Sequence, residues 1–219
     1  MRPYRELLSD DPAWPEIAAQ AAASTRATTI LPRDAAKAAD CLERLQVTTR
    51  SALGAIAHET GGVLVDHGWL RVLGSGHARL PRQLGEWNEQ LGVPVSDFLI
   101  VADDVLGGVF AIDGDALGAV RGNVHYFAPD TLDWEDTELG YGAFVQWAFT
   151  GDLDKFYEDV RWPSWRDDVD KLDGDHALHI YPPLWTPEGK AISTTSRRPI
   201  PVAELWRFNM DIRARLGRR

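Results

Sequence analysis

Two kinds of hydrophobic spacing divide the chain. The first 50 residues and the stretch beyond Gly140 carry apolar side chains at helical intervals, whereas the middle carries short apolar runs cut by glycine and aspartate. At the start, Asp11-Pro12 reads as an N-cap followed by proline at the first helical position, with Ile17 to Ala23 behind it. A second helix is predicted from about Asp34 to Gln46, with Ala38, Cys41, Leu42 and Leu45 on one stripe. Between the two, Thr28 to Leu31 is β-prone and ends at Pro32.

In the middle, Ala55-Ile56-Ala57-His58 and Val63-Leu64-Val65-Asp66 flank Thr60-Gly61-Gly62, a hairpin pattern. Asp66-His67-Gly68 turns the chain again into a strand from Trp69 to Leu73, and Leu80 to Leu91 is helical and carries Trp87. Phe98 to Ala102 is the continuous apolar run of a strand buried on both faces. Turns at Asp103-Asp104, Gly107-Gly108 and Asp113-Gly114-Asp115 then lead through Val109–Ile112 to Asn123–Phe127, with Thr131–Trp134 as a further edge strand. These turns are too short for parallel crossovers. The segments near 54–58, 63–66, 69–73, 98–102, 108–112 and 123–127 are therefore expected to form one mainly antiparallel sheet.

Helical spacing returns with Phe144, Trp147 and Ala148, then Leu153, Phe156 and Val160, then a short helix from Pro163-Ser164-Trp165. His179 to Arg198 reads as an ordered loop pinned by Tyr181 and Trp185, and Pro201 opens a last helix striped by Val202, Leu205, Trp206, Ile212 and Leu216. Strand runs flanked by helix runs give an α+β fold, a small, mainly antiparallel sheet flanked by helices. No linker divides it, so the expectation is a single domain over 1–219. Residues 1–50 supply N-terminal helices and 160–219 a C-terminal extension packed on the core.

Charge changes this picture locally. Residues 130–175 hold 14 acidic and 4 basic side chains, an excess equal to the whole net charge of -10. Residues 197–219 hold seven arginines, but the Arg213–Arg219 end is too short to make a nucleic-acid binder. An acidic face opposes nucleic acid and favours a basic protein partner. No run of about 18 apolar residues spans a membrane and no signal peptide precedes the first helix, so a cytoplasmic protein is expected. A lone Cys41 excludes an internal disulfide framework.

Candidate chemistry is sparse. His58-Glu59, Asp66-His67 and His77 are the nearest approach to a ligand or catalytic set, and His58, Asp66, His67 and His77 would form a pocket if the hairpin brought them together. A closed zinc site needs three or four converging ligands, and neither H-E-x-x-H nor a Cys/His knuckle is present. No metal and no cofactor are expected. Ser75 lies in Leu73-Gly74-Ser75-Gly76-His77, which lacks the first glycine of a nucleophile elbow. Asp113-Gly114-Asp115 opens no calcium loop, since Val124 stands at the twelfth place. Among the aromatics of the acidic segment, core packing accounts for Trp147 and Phe156, leaving Trp134, Trp162 and Trp165, with Asp167 and Asp168, as the expected contact residues.

Leu53-Gly54-Ala55-Ile56-Ala57, Trp69-Leu70-Arg71-Val72-Leu73-Gly74, Val101 to Phe110 and Val124 to Trp134 together resemble a bacterial family known only as a domain of unknown function. More distantly, the order of strand, Gly-Gly turn, strands, tryptophan and helix 141–150 is similar to the SUKH superfamily. That likeness implies an α+β domain of the kind found in immunity proteins that bind toxins, and it carries over no catalytic residue. The resulting expectation is a protein-binding module, immunity-type or regulatory, rather than an enzyme. The alternative is an enzyme or small-ligand binder using the His/Asp set.

Overall fold

The computed structural model describes residues 1–118 and 120–217, so Arg218 and Arg219 of the basic end lie outside the described residues. Its centre is a seven-stranded sheet whose strands follow chain order and pair antiparallel throughout: β1 (Thr28–Pro32), β2 (Thr60–Val65), β3 (Leu70–Leu73), β4 (Phe98–Asp104), β5 (Val109–Asp113), β6 (Asn123–Ala128) and β7 (Asp133–Gly140). The short turns act as hairpin closures, as the sequence predicts.

Helices α1 (Tyr4–Leu7), α2 (Trp14–Ala22), α3 (Ala35–Leu45), α4 (Ala52–Glu59) and α5 (Leu84–Leu91) belong to the first half of the chain. The second half adds α6 (Tyr141–Thr150), α7 (Leu153–Phe156), α8 (Trp165–Val169) and α9 (Val202–Arg215). A separate hairpin of β8 (His176–Tyr181) and β9 (Ser196–Pro201) stands beside α9. Adjacent residues of a strand point to opposite faces. Phe110 of β5 meets Phe144 of α6 at 4.9 Å between ring centres, while Phe127 of β6 meets Trp206 of α9 at 5.5 Å. The middle of the sheet is therefore covered on both sides, which is why Leu99 to Ala102 are apolar without alternation.

Four expectations are corrected. Residues 54–58 are not a strand: Ser51 accepts a hydrogen bond from the Gly54 amide and caps α4, which runs to Glu59. Gly61 and Gly62 consequently lie inside β2, not in a hairpin turn, and a Cβ on Gly61 would press on His77 and the Pro32 carbonyl. Residues 179–198 are not one loop, because His176–Tyr181 and Ser196–Pro201 pair as a hairpin. Finally, α2 and α5 start later than predicted, at Trp14 and at Leu84, where the Gln83 side chain caps the helix. By contrast, α3 matches its prediction: Asp34 accepts from the Ala36 and Lys37 amides, and Gln46 ends the helix in the left-handed region.

Two adjacent buried carboxylates end β4, one on each face. Asp103 accepts from Arg71 Nε at 2.6 Å and from both terminal nitrogens of Arg82. Burial pushes its carboxyl up, but the charges of Arg71 and Arg82 outweigh that and hold it below the usual carboxylate range. The same guanidinium groups tie down the later chain: Arg71 donates to the His176 carbonyl at 2.6 Å and Arg82 to the Gly174 carbonyl at 3.0 Å. Among the described residues no cation forms an ion pair with Asp104. It accepts from the Leu106 and Gly108 amides and from the Tyr126 hydroxyl at 2.7 Å, and burial raises its carboxyl.

The two aspartates should therefore respond differently to the same change. Asp103→Asn strands two buried guanidinium charges and should cost about 3–5 kcal/mol. Asp104→Asn, at a site that already disfavours charge, should cost about 1 kcal/mol. Urea unfolding at neutral pH measures both. Asp103 adds stability that is fully present above about pH 3.9 and is lost as pH falls through its lowered folded value. Asp104 acts with the opposite sign, costing stability as pH climbs from about 3.9 towards its raised folded value.

Candidate functional site

The tryptophans expected at the surface are mostly inside. Trp162 is 2% exposed and Trp165 5%. With Tyr157 they surround Trp69, at ring separations of 5.7, 5.1 and 5.4 Å respectively. Arg161 lies over the rings of Trp165 (4.3 Å) and Trp69 (4.7 Å) and donates to Asp66 at 2.5 Å and Asp154 at 2.7 Å. A guanidinium stacked on indole faces keeps its charge while its plane is buried. This stack closes the sheet end near β3, so the segment after residue 160 is part of the core.

Asp168 is likewise engaged. It accepts from the Trp162 indole at 2.7 Å and lies 3.9 Å from Arg197, which itself covers the Trp162 ring. Asp167 is exposed. Trp134 is half-buried against Phe98 and Phe127, at 5.2 and 5.4 Å.

The His/Asp set does not converge. His58 contacts the Tyr4 hydroxyl at 2.8 Å and Glu59 at 2.7 Å. His77 accepts from the Arg79 amide in the turn after β3. Asp66 is bound to Arg161, and His67 stands 3.8 Å from Asp170 and edge-on to Trp165. Asp66 and His67 both adopt left-handed backbone, with φ of 52° and 62°, followed by Gly68 at 91°. Two non-glycine residues held there cost about 1–3 kcal/mol each, and the Arg161 bond is what retains Asp66. Among the described residues no group of three or more His, Cys, Asp or Glu is placed to hold a metal. The Cys41 thiol is buried, which pushes its pKa up to about 11.

What the acidic segment does expose is a slot of about 210 Å³ between β7, α6 and α7. Four rings build it: Tyr126 on β6, Phe144 and Trp147 on successive turns of α6, and Phe156 at the end of α7. Phe156 stands edge-on to both Trp147 and Tyr126, each at 5.1 Å, and is 40% exposed. The opposite wall is Glu135, Asp136, Thr137 and Leu139 of β7. The floor connects to β4 through the Tyr126–Asp104 hydrogen bond.

A bulge shapes that wall. The β6–β7 register slips after His125–Asp136, leaving Thr137 and Glu138 between that pair and Val124–Leu139. Glu138 is left-handed, φ 59°, and its amide donates to Asp136 at 2.8 Å, while Thr137 donates to the Val124 carbonyl at 2.6 Å. The Glu138 amide bond is the largest influence holding the Asp136 carboxyl below its usual range. Glu135 is raised, first by burial and then by the negative charges of Asp130 and Asp133. Among the described residues no cation forms an ion pair with Glu135. The Asp136 carboxylate turns to the other face of the sheet, where it accepts from the Asn123 amide at 3.1 Å and lies 3.9 Å from His125, so aromatic rings and the Glu135 carboxylate line the slot.

Sequence reasoning assigned Trp147 and Phe156 to the core. The signal that marks them otherwise is the excess of apolar surface on α6 and α7 beside an acidic strand, and the bulge breaks the alternation that would have aligned the two.

Truncation separates the two aromatic sets. Trp165→Ala should lower stability by about 3–5 kcal/mol, as a core deletion, and Phe156→Ala by only about 1–2 kcal/mol; parallel urea melts give both values.

A sequence model of the family described as Protein of unknown function DUF2625 matches residues 5–205. The chain is 44% identical to the uncharacterized protein YbfG of Escherichia coli, over 97% of this chain and 98% of that one. It is 35% identical to an uncharacterized protein of Haemophilus influenzae, over 82% of this chain and 81% of that one. No solved structure matches it.

Proposed function

From a chain that belongs to the DUF2625 family, we propose a protein-binding module that captures a basic side chain, lysine or arginine, of a protein partner in the aromatic slot. The observation that carries this reading is the slot itself: four rings and the Glu135 carboxylate around about 210 Å³, with no cation paired to Glu135 among the described residues. A cation over aromatic faces gains about 0.5–2 kcal/mol, more when water is excluded. The volume is below the roughly 300–1,000 Å³ of clefts that take whole drug-sized ligands, and it suits one side chain. Asp130 and Asp133 add negative charge close to Glu135, although Asp133 is also paired with Arg213 at 3.3 Å, and this favours a basic surface over a free amine.

If the chain acts as an immunity-type protein, the role that the SUKH likeness implies, the basic group would belong to a toxin. A reading as an enzyme on His58, Asp66, His67 and His77 has less support, because those side chains are bound to separate partners. No helix among the described residues is long and apolar enough to cross a membrane.

The test is titration of the protein with a short Lys/Arg-rich peptide and with an acidic peptide of the same length, read by tryptophan fluorescence and calorimetry. The basic peptide should bind, and salt should weaken it. Trp147→Ala and Glu135→Gln should each reduce affinity by about 5- to 30-fold. Because the Glu135 carboxyl is raised, affinity should start to fall on acidification at a higher pH than an ordinary glutamate would give. Equal binding of both peptides, or indifference to both substitutions, would rule the slot out. Asp167→Lys is the better probe of the wider face, since replacing Asp168 also disturbs Trp162.

A further inference from the structure

A second cavity, of about 290 Å³, opens between the Asp66–Gly68 turn, β3 and the segment 169–174. We propose that it binds a small amphoteric molecule bearing one carboxylate and one ammonium group, the chemistry of a free α-amino acid.

The positive groups are Arg79 in the wall and Arg71 in the floor. Arg71 and Arg82 share one buried carboxylate, Asp103. The half-exposed Asp175 answers Arg82, at 3.4 Å, and not Arg71. The other partners of Arg71 are carbonyl oxygens, of His176, Asp104 and more distantly Gly174. Carbonyls satisfy its N–H groups without neutralising its charge. Arg79 has no ion pair among the described residues. Arg71, Arg82, Asp103 and Asp175 balance in charge, so the positive charge left at this cavity is that of Arg79.

Negative groups line the same cavity. Asp170 and Asp173 lie in the segment that follows α8; among the described residues their only ion-pair partners are histidines, His67 at 3.8 Å and His176 at 4.0 Å, and Asp173 also accepts from the Asp175 amide at 2.8 Å. A simple anion such as phosphate would be attracted by Arg79 but repelled by these two carboxylates. A simple amine meets the converse. A zwitterion satisfies both at once, its carboxylate towards Arg79 and its ammonium towards Asp170 and Asp173. Leu64, Val105 and Leu172 leave apolar wall for a side chain.

The geometry is also held in place. Gly174 approaches the Arg79 carbonyl so closely that a Cβ would collide with it, which fixes the segment bearing Asp173 against the turn bearing Arg79. On the other side, the left-handed Asp66–His67 pair is anchored by Arg161. Both walls are thus set before any ligand arrives.

Calorimetric titration of the intact protein with the standard free amino acids tests the proposal, each compared with its carboxamide and its N-acetyl derivative. At least one free amino acid should bind, and both of its blocked forms should bind about 10-fold or more weakly, the loss expected for one charge-assisted contact. Arg79→Ala and Asp173→Asn should each weaken the free amino acid by a similar factor. Both residues are exposed, so the fold should survive, and a urea melt confirms it. Trp147→Ala, in the slot, should leave this affinity unchanged. The proposal fails if no free amino acid binds up to about 10 mM, if a blocked form binds equally well, if inorganic phosphate binds as tightly as any amino acid, or if neither substitution changes affinity.

Discussion

The bond between Asp103 and the two guanidinium groups of Arg71 and Arg82 is the contact on which the two halves of the chain converge. It joins β3 to β4, fastens the turn ahead of α5, and through the carbonyls of Gly174 and His176 holds down the chain that leads into the second hairpin. Taking three charges out of water is expensive, and an apolar cluster of the same volume would often be at least as stable. What a salt bridge offers instead is direction. A guanidinium presents donors in a fixed plane, so the strap over residues 174–176 has one place to sit. The cavity beside it, lined by groups of opposite sign, depends on that placement.

The sheet itself was legible because its turns are short and its strands carry local signals. Gly107-Gly108 and Asp113-Gly114-Asp115 state where the chain reverses, and an unbroken apolar run from Phe98 states which strand is central. The failures share a cause. Ala55 to Ala57 is apolar, and so short an apolar run looks the same in a buried strand and a buried helix. The cap that decides between them, Ser51 to the Gly54 amide, is one hydrogen bond outside the run. Likewise β8 and β9 pair across a separation that local spacing does not report, and the prolines at 199 and 201 obscure a strand that lies at an edge.

The candidate site was legible in charge but not in geometry. The acidic segment does carry an aromatic surface, but its rings are Trp147 and Phe156 rather than Trp162 and Trp165. Tryptophans beside proline and aspartate resemble surface residues by their neighbours. Here Arg161 stacks on Trp165, Arg197 covers Trp162, and Asp168 takes the Trp162 indole N–H, so polar neighbours accompany these rings inward. A sequence states which side chains are charged; it does not state which of them face an aromatic plane.

The bulge in β7 has a consequence for how any partner can approach. β7 is the last strand of the sheet, and a flat terminal strand accepts any extended segment by backbone pairing, with little regard for its side chains. Thr137 and Glu138 break that template midway, and Asp133, Glu135 and Asp136 set charge along the rest. A visitor to this side of the molecule therefore cannot dock by lengthening the sheet. It must be recognised by what projects from it, which makes the encounter indifferent to strand register and leaves a folded domain as acceptable a visitor as an unfolded tail.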